Sequence, residues 1–137
     1  MTAPATKVRV LLADDEAHVR LLVRSVVAGI GYEVVGEAAD GKRAVDLFDT
    51  LAPDLVLLDI GLPRMSGFEV ARVMRTLPAL ANTLIVACTG YGQEEDRQRV
   101  REAGFDQHLV KPVRIEDLHA IFERMAPPAP PAAAATA

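Results

Sequence analysis

A doubly wound α/β domain, with five parallel strands covered on both faces by five helices, is what this 137-residue sequence predicts. Short aliphatic runs and helix-period patterns alternate five times between the two ends of the chain. Three of those runs, the first, third and fourth, are apolar almost throughout, as strands buried on both faces must be. Chain breakers stand at the joints: Gly31, Gly41, Pro53, Pro78 and Gly104.

Taken in order, Val8–Ala13 reads as the first strand. Val19, Leu22, Val23, Val26, Val27 and Ile30 follow at i, i+3, i+4, i+7, i+8 and i+11, an amphipathic helical stripe. Glu33–Ala38 is the second strand, and Ala44, Val45, Phe48 and Leu51 mark the second helix. Leu55–Leu58 is the central strand, followed by a helix carrying Val70, Ala71, Met74 and Leu77. Leu84–Cys88 is the fourth strand. The segment Glu94–Ala103 is a heavily charged helix whose thin apolar edge is Val100 and Ala103. Arg97, Arg99 and Arg101 are flanked there by acids and read as a solvated face. His108–Val110 closes the sheet, and Ile115, Leu118, Ile121, Phe122 and Met125 make the last helix. Right-handed crossovers between parallel strands lead to the flavodoxin-like strand order 2-1-3-4-5. The domain is expected over residues 7–125, preceded by a flexible stretch, 1–6, and followed by a disordered Pro/Ala-rich tail, 126–137.

Composition narrows the function. Half the residues are hydrophobic, a quarter are charged and mean hydropathy is +0.18, which is globular. A net charge of -4 argues against a nucleic-acid clamp. The single cysteine, Cys88, sits in an apolar strand and permits neither an internal disulfide nor a thiolate metal cage. No apolar run approaches a bilayer span and no secretory signal opens the chain, so a soluble, cytoplasmic domain is expected.

In a sheet of this order ligands bind beyond the carboxyl ends of the strands. The residues there are Asp14, Asp15 and Glu16 after the first strand, Asp59 at the end of the third, Thr89 after the fourth and Lys111 after the fifth. The second strand, at the edge, ends in nothing comparable. Clustered carboxylates repel one another, so a cation is expected. Hard oxygen donors without imidazole or thiolate point to Mg²⁺ or a similar ion. A lysine and a hydroxyl opposite it suit the oxygens of a phosphoryl group. The plainer alternative is that Asp14 and Asp15 only cap the first helix. His18 and His119 lack partnering acids at ligand spacing and read as surface residues.

These motifs, LLADDE, LVLLDIGLPRMSGFEV, VACTGYG and HLVKP, make the chain resemble the receiver domain of two-component response regulators. The likeness is to chemotaxis-regulator-like receivers, with wording similar to those attached to hybrid histidine kinases. The resemblance implies that Asp59 accepts a phosphoryl group from a histidine kinase or a histidine phosphotransfer protein. It implies that Asp15, Asp59 and the Gly61 backbone carbonyl ligate Mg²⁺, with Asp14 acting through water. Lys111 would pair with the phosphoryl oxygens, and the Lys111–Pro112 bond would be cis. Thr89 would turn its hydroxyl onto the phosphate. His108 would hold the coupled position usually taken by Tyr or Phe, a departure that predicts weaker or pH-sensitive coupling. Gly61 and Tyr91 would flank the path of attacking water.

The resulting expectation is a stand-alone phosphoacceptor switch that catalyses only its own phosphorylation and slow dephosphorylation. It would signal through the face of the fourth helix, fifth strand and fifth helix to a downstream protein effector, as a monomer or weak dimer without nucleic-acid or membrane binding. A phosphate shuttle or sink in a hybrid-kinase phosphorelay is the alternative within that class. An aspartyl-phosphate phosphatase would need an acid two residues past the nucleophile, where Gly61 stands. An inert interaction module would not need all five site residues, and the strand-end acids would repel a flavin phosphate.

Overall fold

The computed structural model describes residues 8–78, 82–89, 94–110 and 114–124. The expected flexible start and Pro/Ala-rich tail, together with Tyr91, Lys111 and Pro112, lie outside the described residues. Strands β1 (Arg9–Ala13), β2 (Glu33–Ala38), β3 (Leu55–Asp59), β4 (Leu84–Thr89) and β5 (Gln107–Val110) alternate with helices α1 (Ala17–Gly29), α2 (Gly41–Leu51), α3 (Gly67–Arg75), α4 (Glu94–Ala103) and α5 (Ile115–Arg124). All pairings are parallel, and the order is β2-β1-β3-β4-β5, as the sequence predicts.

Side chains alternate across the pleat, so each central strand feeds two cores. Leu11, Val56, Leu58, Ile85 and Ala87 pack with Phe48, Val70, Met74 and Val100 from α2, α3 and α4. Val10, Leu12, Leu55, Leu57 and Val86 pack with Val23, Val26, Val27, Leu118 and Ile121 from α1 and α5. Each fully buried aliphatic side chain contributes about 1.5–3 kcal/mol of transfer free energy. The continuous apolar runs of β1, β3 and β4 are thus what a sheet covered on both faces needs.

Helix ends follow local chemistry. Ser66 and Glu69 form a reciprocal capping box at the start of α3, and Asp40 caps α2 by accepting the Arg43 amide. α2 ends on Ala52, held left-handed at φ 44°. A Cβ is disfavoured there, so Ala52→Gly is expected to stabilise the domain by about 1 kcal/mol, raising the melting temperature by roughly 3–6 °C in a calorimetric scan.

One side chain departs from the sequence reading, and one exposed side chain makes a contact that the reading did not include. Leu22, assigned to the inward stripe of α1, is 38% exposed. Arg99, assigned to a solvated face, stacks its guanidinium over the Phe68 ring, 4.3 Å from the centroid. Phe68 in turn meets Phe105 edge-to-face at 6.3 Å. At the opposite end of the sheet from the strand-end acids, Arg75 joins three segments. It donates to the carbonyls of Gly104 and Thr83, both at 2.9 Å, and to Asp106 Oδ2 at 2.7 Å. The same Asp106 oxygen accepts the Ile85 amide at 2.8 Å.

Candidate functional site

The chain turns in opposite directions from β1 and from β3, which leaves a crevice beyond their carboxyl ends. β1 delivers Asp14 and Asp15 to it, and β3 delivers Asp59. Asp14 and Asp59 are buried, each 7% exposed, while Asp15 is exposed. One carboxylate oxygen from each of the three lies within 4.8 Å of the others. At about 5 Å and an effective dielectric near 20, each pair of charges repels by about 3 kcal/mol.

Backbone groups hold the acids in place. The Gly61 amide donates to Asp59 Oδ1 at 2.9 Å, and the Glu16 amide to Asp14 Oδ1 at 2.8 Å. The Asp14 amide donates to the Ala38 carbonyl of β2 at 3.0 Å, and the Ile60 amide to the Cys88 carbonyl of β4 at 3.1 Å. Capping of α1 does not account for the two aspartates. Its N-cap residue is Glu16, which makes no side-chain cap bond, and its first turn holds no acid.

Thr89 stands at the end of β4, fully buried. Its Oγ1 lies 2.6 Å from His108 Nε2 on β5, and the Leu109 carbonyl is 3.5 Å away. The two residues paired by sequence reasoning are therefore in direct hydrogen-bond contact. Gly61 is exposed beside Asp59, and a Cβ there would meet only Asp59 Oδ1, at 3.6 Å. His18 and His119 are exposed and Cys88 is buried, in keeping with their reading as bystanders.

The three carboxylates fit a small hard dication. Hard carboxylate oxygens, brought within 4.8 Å of one another with no imidazole or thiolate among them, are the donor set such an ion takes. Sequence reasoning missed two supporting residues, Arg20 and Glu37. The Arg20 guanidinium donates to the Asp14 carbonyl and to Glu37 Oε1, the latter at 3.1 Å. Edge strand β2, which contributes no acid to the crevice, thus supports the turn that does. The available signal was a charged residue beside Val19 and close to Val23 on a helix facing the core.

Known proteins bear out the resemblance. The family model described as the response regulator receiver domain matches residues 10–123. The chain is 39% identical over 124 residues to the transcriptional regulatory protein PdtaR of Mycobacterium tuberculosis, covering 86% of this chain and 59% of that one. It is 36% identical over 105 residues to the chemotaxis protein CheY of Thermotoga maritima, covering 76% of this chain and 85% of the relative. Among solved structures, the chemotaxis response regulator CheY4 of Vibrio cholerae superposes with a TM-score of 0.82 at 31% identity, covering 87% of this chain and 98% of that one. No helix among the described residues is long and apolar enough to cross a membrane. With its sheet order, its strand-end acids and its match over nearly the whole folded region, the chain belongs to the response regulator receiver family of two-component signalling.

Proposed function

We propose that this protein is a Mg²⁺-dependent phosphoacceptor switch in which Asp59 takes a phosphoryl group from the histidine of a kinase or phosphotransfer protein. The observation that carries the reading is a buried carboxylate at the end of the central strand, within 4.8 Å of two more acids at the crevice. In the transfer, an Asp59 carboxylate oxygen bonds to phosphorus as the phosphorus–nitrogen bond breaks, and the released imidazole nitrogen takes a proton from solvent. Asp14, Asp15 and Asp59, with the Gly61 carbonyl, are the groups that would hold the ion. When bound, Mg²⁺ offsets the charge of the acids and of the incoming phosphoryl oxygens.

The other roles belong to the chain itself. The Gly61 amide, bonded to Asp59 Oδ1, restrains the carboxylate plane for attack. Lys111 would pair with a phosphoryl oxygen, and Thr89 would exchange its bond to His108 for one to the phosphate. The protein works in the cytoplasm as a monomer or weak dimer, catalyses nothing beyond its own phosphorylation and dephosphorylation, and passes its state to a protein effector. Incubation with Mg²⁺ and a small phosphodonor should add one acid-stable, base-labile phosphoryl group per chain, read by intact mass. Absence of incorporation under those conditions overturns the reading.

The signal is read on the face of α4, β5 and α5. Thr89 and His108 sit on the neighbouring strands β4 and β5, so release of their bond reaches β5 directly. Beryllofluoride with Mg²⁺ is expected to shift amide resonances across residues 89–122 as well as at the acids. Shifts confined to the loops carrying Asp14, Asp15 and Asp59 would sink this assignment.

A further inference from the structure

We propose that Arg20, held by Glu37 at the end of β2, is a positioning residue that sets the Asp14–Asp15 turn for metal binding. The inference rests on the magnesium reading above. Four hydrogen bonds carry it. The Asp14 amide is tied to β2 by the main chain, through the Ala38 carbonyl at 3.0 Å. The Asp14 carbonyl is tied to the same strand by a side chain, because Arg20 Nη1 donates to it while Arg20 Nε donates to Glu37 Oε1 at 3.1 Å. Arg24 Nη1 donates to the second Glu37 oxygen, Oε2. Both peptide groups of Asp14 therefore take their orientation from the last two residues of one strand.

α1 begins directly after this turn, and its N-cap residue Glu16 makes no side-chain cap bond. The Glu16 amide is held by Asp14 Oδ1 at 2.8 Å, so the orientation of Asp14 carries into the helix start, and Arg20, one turn in, ties the Asp14 carbonyl. The Arg20 side chain is 20% exposed, against 57% for Arg24, in keeping with a guanidinium turned inward to the turn.

Charge alone would give Arg20 the opposite role. A cation beside a dication site weakens binding, and Glu37 offsets much of that charge. The value of Arg20 therefore lies in geometry, since a planar fork can fix a carbonyl and a carboxylate at once. Outer-shell partners of metal ligands commonly change affinity by about ten- to a hundredfold when removed.

The two roles differ in sign, which makes the test decisive. Mg²⁺ affinity would be measured by amide titration of Asp15 and Glu16 in the wild-type protein and in Arg20→Met, Arg20→Lys, Glu37→Gln and Arg24→Met. Positioning predicts that Arg20→Met weakens Mg²⁺ binding by about tenfold or more, with Arg20→Lys and Glu37→Gln between it and wild type. Arg24→Met, which leaves the Asp14 carbonyl bond intact, should stay within about twofold. Equal or tighter binding by Arg20→Met overturns the inference, because loss of a bystander cation can only help a dication. If Arg20→Met does not fold, Arg20→Lys against wild type carries the same decision. A wild-type protein that binds no Mg²⁺ overturns the metal reading itself. Hydrogen exchange at the Glu16 amide then still decides the structural half: faster exchange in the Arg20 variant supports the tie, and unchanged exchange removes it.

Discussion

Asp59→Asn is expected to reduce phosphoryl incorporation to background, a loss of at least roughly a thousandfold under donor and Mg²⁺ conditions that label the wild type. The amide keeps the shape and can still accept the Gly61 N–H through its oxygen. It removes the negative charge that the proposed nucleophile needs. The fold should survive, because the substitution relieves repulsion in a cluster of three acids packed within 4.8 Å. The variant should therefore melt at or above the wild-type temperature while failing to label. Incorporation at an undiminished rate would move the acceptor to another residue, with Asp14 and Asp15 the nearest carboxylates. Loss of labelling together with loss of folding would point to a structural role instead.

Gly67→Ala is expected to cost about 2–3 kcal/mol and to lower the melting temperature by roughly 10 °C. A Cβ at this position would stand 2.5 Å from the Ile60 Cα and 2.6 Å from the Asp59 carbonyl oxygen. Both obstacles are backbone, so no flexible side chain can yield. The Gly67 amide also donates to the Ile60 carbonyl at 3.0 Å, closing the loop over the residue that follows Asp59. Pushing α3 away thus displaces Asp59 as well as weakening the fold, and misplacement of a reacting group by about 1 Å can cost a hundredfold in rate. Thermal unfolding and labelling rate should fall together. Gly61→Ala is the control for stability, since its added Cβ makes only an ordinary 3.6 Å contact and the melting temperature should hold. Equal stability of Gly67→Ala and wild type would show that α3 can shift without penalty.

The fold was legible because its signals are local. Apolar runs such as Leu55–Leu58 announce a strand covered on both sides, and breakers between periods mark the joints. The acids were legible for a related reason: once strands are assigned, the residues after them share one rim whatever the details of packing. What stayed hidden depends on register and reach. Leu22 fits the helical period of α1 but falls at the flank of its buried arc, whereas Arg20, a charged residue that patterning sends to solvent, turns inward to Glu37 and the Asp14 carbonyl. No spacing rule connects positions 20 and 37, because they meet only through the pairing of β1 with β2. The stacking of Arg99 on Phe68 was hidden likewise, since it joins two helices across a distance in sequence.

The Arg75 junction has a mechanical consequence for α4. That guanidinium grips Gly104, the residue immediately after the helix, and through Asp106 it grips the start of β4 as well. One end of α4 is thereby a fulcrum. The stack of Arg99 on Phe68 partway along is a softer catch, of about 0.5–2 kcal/mol. A rod pinned at one end can only swing, and its travel grows with distance from the pin. Over the ten residues of α4, about 15 Å of helix, a tilt of about 10° carries the far end roughly 2.5 Å while the pinned end stays still. On the proposed reading, leverage of this kind would turn a hydroxyl shift at Thr89 into a displacement large enough for another protein to sense. In Arg75→Met the pin is lost, so exchange broadening in relaxation-dispersion spectra should spread from the α4 start to Gly104 and Phe105, and broadening that stops short of them would show that the fulcrum lies elsewhere.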